Sequence, residues 1–104
     1  MFQILTSLDF ERRVDRSRYC AVMFFANHCG PSRSFYTIFK QTSDDFPDID
    51  FYAVNVDNEE ELAERYNIEL MPTVMFLKRG RICALIRGLA GRKTLTDKLY
   101  DMYD

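Results

Sequence analysis

One stretch constrains this chain more than any other. Residues 19–26 are continuously apolar, and the run stops at Asn27-His28 before Cys29-Gly30-Pro31-Ser32. An unbroken apolar run of this length suits a strand buried on both faces, in the middle of a sheet. Beyond it, residues 33–46 place Phe35, Ile38, Phe39 and Thr42 on one helical stripe, with a stop expected near Phe46-Pro47. A buried strand thus delivers a thiol to the first turn of a helix, where unpaired N–H groups and the helix dipole stabilise a thiolate. The second thiol of a Cys-x-x-Cys pair is absent, and Ser32 stands in its place.

The flanking chain reads as alternating elements. Residues 2–5 form a short first strand, followed by a helix capped by Thr6 or Ser7 with Leu8, Phe10 and Val14 as its apolar positions. Residues 50–57 carry a third strand between acids. Asn58-Glu59-Glu60-Glu61 then places negative charge at the start of a helix with Leu62, Ala63 and Tyr66 inward, and reads as a solvated helix start. After Leu70-Met71-Pro72 come a strand at 73–77, a polar turn at Lys78-Arg79-Gly80-Arg81 and a return strand at 82–86. A last helix begins near Arg92, with Leu95, Leu99 and Met102 inward. The order βαβαβα-ββ-α predicts an α/β fold: three strands joined in parallel by right-handed crossovers, with an antiparallel hairpin at one side.

Composition matters chiefly for what it excludes. With 104 residues, 47% of them hydrophobic, the chain reads as one domain, 1–104, able to bury a core without disulfides or metal. A net charge of −2 without a basic stripe argues against a nucleic-acid partner. No apolar run approaches the length of a membrane span, and residues 1–5 lack the features of a signal peptide. The three cysteines are too few and too odd in number for a secreted disulfide scaffold. A cytoplasmic, reducing setting is the expectation. One His with scattered cysteines has no metal-ligand spacing, so no metal and no cofactor are expected.

With His28-Cys29-Gly30-Pro31-Ser32 after a buried strand, Met71-Pro72-Thr73 before the hairpin, and Gly80 and Gly88 at turns, the chain resembles the thioredoxin family along nearly its whole length. The resemblance implies the thioredoxin fold, a central mixed sheet of about five strands flanked by four helices, and a cis peptide bond before Pro72. It also implies activity in thiol–disulfide exchange and redox homeostasis. The departures fall in the catalytic pattern. The family's tryptophan is His28, its second cysteine is Ser32, its helix proline is Thr37, and its buried Asp and facing Lys correspond to Met23 and Ala53.

Disulfide reduction begins when a thiolate attacks a target sulfur and forms a mixed disulfide. Cys29 is the candidate nucleophile. The Ser32 hydroxyl, one turn on, could donate to its thiolate, and a protonated His28 would lower its pKa further. A serine cannot resolve the mixed disulfide, so release must use an outside thiol, such as glutathione or a second cysteine on the substrate. Cys20, roughly 30 Å along an extended strand from Cys29, and Cys83, at the start of the last strand, both read as core or sheet cysteines. Met23 bears on whether Ser32 was introduced to trap mixed disulfides. An introduced serine would sit beside an intact acid, so the apolar Met23 argues for a natural monothiol site.

The resemblance assigns the substrate groove to His28, Gly30, Pro31, Met71, Pro72, Gly88 and Leu89, with Cys29 and Ser32 catalytic. The expected activity is that of a monothiol disulfide oxidoreductase or isomerase, weak as a reductase, acting on protein or glutathione disulfides. The protein is expected to be monomeric, or a dimer linked through Cys29, without a membrane partner. The alternative is a thioredoxin-fold binding module with little or no redox turnover.

Overall fold

The computed structural model describes residues 2–104; Met1, which belongs to the segment read above for a signal peptide, lies outside the described residues. The chain runs through β1 (Phe2–Ile4), α1 (Phe10–Arg16), β2 (Tyr19–Phe25), α2 (Gly30–Thr42), a 3-10 turn (Ser43–Asp45), β3 (Asp50–Asn55), α3 (Glu60–Arg65), β4 (Thr73–Lys78), β5 (Arg81–Arg87) and α4 (Arg92–Asp101). The sheet order is β1-β3-β2-β4-β5. β3 is parallel to both β1 and β2, whereas β4 is antiparallel to both β2 and β5. The apolar run at 19–26 therefore becomes the central strand, with fully buried residues from Cys20 to Phe24.

Side chains alternate across β2, because successive residues of a strand point to opposite faces. Cys20, Val22 and Phe24 join Phe10, Val14 and Leu62 in the layer beneath α1 and α3. Ala21 and Met23 join Phe35, Phe39, Leu95 and Leu99 in the layer beneath α2 and α4. Each buried Phe or Leu contributes about 1.5–3 kcal/mol from the removal of apolar area from water. In the β4–β5 hairpin, Arg79 and Gly80 both have positive φ (50° and 81°), the geometry that matches the twist of two strands joined by two residues.

One expectation needs correction. Leu8 is 96% exposed, and the first helix starts only at Phe10. The chain turns before the helix because the Thr6 N–H donates to Asp9 Oδ1 (2.8 Å), and this turn aims Leu8 at water. Cys83 lies on β5, as a sheet cysteine should; it is exposed, at an irregularity in the β4–β5 register, and its Sγ–H donates to the Phe76 carbonyl at 3.3 Å. The acidic start of α3 is also more than solvated surface, since Glu59 Oε1 accepts the Ser7 N–H at 2.8 Å and ties the two segments together.

Candidate active site at the start of α2

Three neighbouring segments build the site. The first is the loop from Phe25 to Cys29. Phe25 is in register with Asn55, and at this end of the strands Asn55 Nδ2 donates to Asn27 Oδ1 (2.8 Å) while the Asn27 N–H donates to Asp57 Oδ2 (2.8 Å). Asn55 Oδ1 in turn accepts the Asp57 N–H at 3.0 Å, so the loop ahead of the cysteine is pinned to the end of β3. This network escapes sequence reading, whose only available signal is the pair of polar residues just past two adjacent apolar strands.

The second segment is the start of α2. Cys29 is its N-cap in extended geometry, its carbonyl accepts the Arg33 N–H at 3.1 Å, and Pro31 lies in the first turn, where no N–H is needed. Ser32 falls on the same stripe as Phe35, Phe39 and Thr42, and is 1% exposed. Its hydroxyl has no hydrogen-bond partner among the described residues. The third segment is the loop ahead of β4. The Met71–Pro72 bond is cis, and the Met71 carbonyl accepts the Cys29 Sγ–H at 3.7 Å. The Pro72 carbonyl accepts the Gly88 N–H at 2.7 Å, which joins this loop to the turn after β5.

The Cys29 thiol is more acidic than an ordinary one. The Ser32 hydroxyl is the largest cause and the Ser32 backbone N–H the next, with a small opposing effect of desolvation. The orphaned hydroxyl and this acidity describe two protonation states of one site. As a thiol, the sulfur donates to Met71 and leaves Ser32 unsatisfied; as a thiolate, it becomes the acceptor that the buried hydroxyl lacks. Such a bond to an ionised acceptor is about twice as strong as a neutral one.

On the face of β2 that α2 covers, Met23 is in direct register with Ala53 and both are fully buried. These two positions carry neither an acid nor a base. His28 and Pro31 are exposed beside Cys29, and Gly30 is open, with nothing within 4 Å of where a Cβ would stand. Gly88 has φ +89°, and a Cβ there would approach Leu70 Cδ2 to 3.1 Å, so this turn needs glycine. Leu70 and Leu89 flank the turn at 53% and 64% exposure. The structure thus brings Cys29, Ser32, Met71 and Pro72 together at the end of β2, with Gly88 and Leu89 alongside, and leaves Cys20 and Cys83 apart from them. The resemblance already placed Met71 in the groove; what sequence reading did not give is the bond from the Cys29 Sγ–H to the Met71 carbonyl.

A cavity of about 220 Å³ touches the loop ahead of the cysteine, lined by Phe25, Ala26, Asn27 and Arg33 among others, without Cys29. Another of about 520 Å³ sits between β1 and α2, lined by Phe2, Tyr36 and Lys40 among others, and does not include Cys29. Thiol exchange with a polypeptide needs a sulfur on an open shelf rather than in a pocket, so the thiol and not the cavity marks the site. Among the described residues no group of three His, Cys, Asp or Glu side chains is placed to hold a metal ion, and no helix is long and apolar enough to cross a membrane.

The family described as Thioredoxin matches residues 1–101. The chain is 37% identical over 91 residues to a peptide-N(4)-(N-acetyl-beta-glucosaminyl)asparagine amidase of Caenorhabditis elegans, covering 88% of this chain and 15% of that protein. It is 38% identical over 78 residues to a thioredoxin H-type of Picea mariana, covering 75% of this chain and 62% of that protein. It therefore spans less than two thirds of either relative. Among solved structures, the thioredoxin of Fasciola hepatica aligns with a TM-score of 0.88 at 30% identity, over 98% of this chain and 99% of that one.

Proposed function

The chain belongs to the thioredoxin family, and we propose that it carries out thiol–disulfide exchange as a monothiol protein, through Cys29 alone, with an outside thiol completing each cycle. The observation that carries this reading is the orphaned, buried Ser32 hydroxyl beside an acidified Cys29. That pair favours a thiolate and offers no second sulfur.

In the first step the Cys29 thiolate attacks one sulfur of a target disulfide. A new S–S bond forms, the target's bond breaks, and the departing thiolate takes its proton from solvent, since Met23 and Ala53 supply none. An extended substrate segment would lie along Met71 and Pro72, with Gly88 and Leu89 on its far side and His28, Gly30 and Pro31 at the near rim. In the second step an outside thiol attacks the mixed disulfide and Cys29 leaves as a thiolate. A low-pKa thiol is the better leaving group, so the acidity that speeds capture also speeds release. Glutathione and protein thiols are the expected co-substrates, in a reducing cytoplasmic setting.

A second reading, a binding module with little turnover, is favoured by the exposed Leu70 and Leu89 beside the same groove. Insulin-disulfide reduction driven by glutathione separates the two. The exchange reading expects slow turnover that Cys29→Ser abolishes. Turnover unchanged by Cys29→Ser would end it, and undetectable turnover of the unaltered protein would leave the binding module.

A further inference from the structure

The second partner of the Cys29 sulfur points to a chemistry other than disulfide exchange. A thiolate facing one buried, unpartnered donor and one backbone acceptor is arranged to hold an S–O–H group as well as a sulfur anion. The Ser32 hydroxyl, 1% exposed and unpartnered, can donate to an oxygen on the sulfur. The Met71 carbonyl, which takes the thiol proton at 3.7 Å, can accept from that oxygen's own proton. We propose that Cys29 reduces hydroperoxides, and that its sulfenic acid is held between Ser32 and Met71 until an outside thiol removes it. This rests on the reading of Cys29 as a reactive thiol.

The electron count closes with two reactants. The thiolate's lone pair attacks the terminal oxygen of a hydroperoxide, the S–O bond forms as the O–O bond breaks, and the alkoxide or hydroxide leaves with the electron pair and is protonated. The sulfur is oxidised by two electrons and the peroxide is reduced by two. A low-molecular-weight thiol then displaces water from the sulfenic acid to give a mixed disulfide. A second thiol molecule releases Cys29 and leaves as the symmetrical disulfide.

What distinguishes this site is the absence of any internal way to consume the sulfenic acid. Sulfenic acids condense readily with neighbouring thiols. Cys20 is fully buried, in the layer opposite α2. Cys83 bonds to the Phe76 carbonyl, three residues and roughly 10 Å down β4 from Thr73 at the site. Cα atoms more than about 7 Å apart cannot be bridged without movement of the backbone.

The test is to expose the reduced protein to equimolar hydrogen peroxide with dimedone present, and to locate the adduct by peptide mass spectrometry. The proposal expects the adduct on Cys29, formed about tenfold more slowly in Ser32→Ala, which loses a hydrogen bond to a charged group. In Ser32→Cys the adduct is replaced by an internal disulfide. Removing an unpartnered hydroxyl leaves no new unsatisfied group, so Ser32→Ala is expected to fold, and circular dichroism checks this. An adduct on Cys83 alone, or an equal rate in Ser32→Ala, would overturn the proposal. In parallel, the protein is treated with glutathione disulfide. A mixed disulfide on Cys29 without any dimedone adduct overturns the peroxide chemistry and leaves the exchange reading intact. Failure of both reactions removes both.

Discussion

Cys20 and Cys29 sit on the same stretch of chain, one at the foot of β2 and one just past its tip, and their thiols are driven in opposite directions. Burial, with the charges of Asp50 and Cys83 adding to it, pushes Cys20 from the usual 9.0 up to about 12. The Ser32 hydroxyl and N–H pull Cys29 down. Near Cys20 the Ser17 hydroxyl bonds to Asp50 Oδ2 (2.7 Å) and pairs with the Tyr52 hydroxyl (3.0 Å), while Arg13 Nε beside them is buried without a partner among the described residues. Around Cys29 the polar group left wanting is the Ser32 hydroxyl. A thiol becomes reactive where neighbouring donors stabilise its anion, and inert where burial keeps it neutral.

The largest effect should come from giving the tip what it lacks. Ser32→Cys supplies an internal nucleophile, and effective molarities of oriented groups reach about 10⁵–10⁸ M. Release of the mixed disulfide should accelerate by several orders of magnitude, measured as insulin turnover in limiting dithiothreitol. No acceleration would mean that the geometry at the start of α2 does not suit a second sulfur.

Next in size is a stability effect at the foot of the strand. Cys20→Ser buries a hydroxyl in an apolar layer and should destabilise the fold by about 1–3 kcal/mol in urea unfolding. It should leave Cys29 alkylation unchanged. A changed alkylation rate would show that the two ends are coupled.

The comparison also has a pH signature. Cys20 keeps its proton in the folded state up to about 12 but loses it near 9.0 when unfolded. Above that lower value the unfolded chain binds fewer protons, so the stability contributed by the neutral thiol is complete below about 9 and is lost as pH rises toward 12. Cys20→Ala should flatten the alkaline side of the stability profile. An unaltered slope would count against a buried thiol. For Cys29 the sign is reversed: its folded pKa is depressed, so the stability from its thiolate is present above the unfolded pKa and is lost as pH falls through the folded one.

The smallest expected effect is local. Gly88→Ala places a side chain at φ +89° and against Leu70. It should cost about 1–2 kcal/mol in thermal unfolding. Substrate KM should rise more than kcat falls, because the groove and not the sulfur is disturbed. A large drop in kcat with KM unchanged would put this turn in the chemistry itself.

Much of this was legible in the sequence where one force dominates. The apolar run became the central strand because nothing but burial on both faces suits it, and the inward positions Phe35, Phe39, Leu95, Leu99 and Met102 all lie in the core. The Met23–Ala53 pairing expected from the resemblance is the observed register. What escaped depends on three-dimensional hydrogen bonding. Leu8 looked like a helix position until the Thr6–Asp9 turn exposed it. The clamp of Asn27, Asn55 and Asp57 joins residues about thirty apart in sequence. The burial of Ser32 was readable in part, since it lies one turn before Phe35 on the same stripe, but its lack of a partner was not.

The central claim is that Cys29 captures a disulfide and cannot release it unaided. The direct measurement is to mix the reduced protein with a small aromatic disulfide, remove excess reagent, and follow the intact mass with and without glutathione. The account predicts a one-to-one mixed disulfide on Cys29 that persists for as long as no thiol is added and disappears once glutathione is present. Spontaneous release without added thiol, or labelling that spares Cys29, would contradict it.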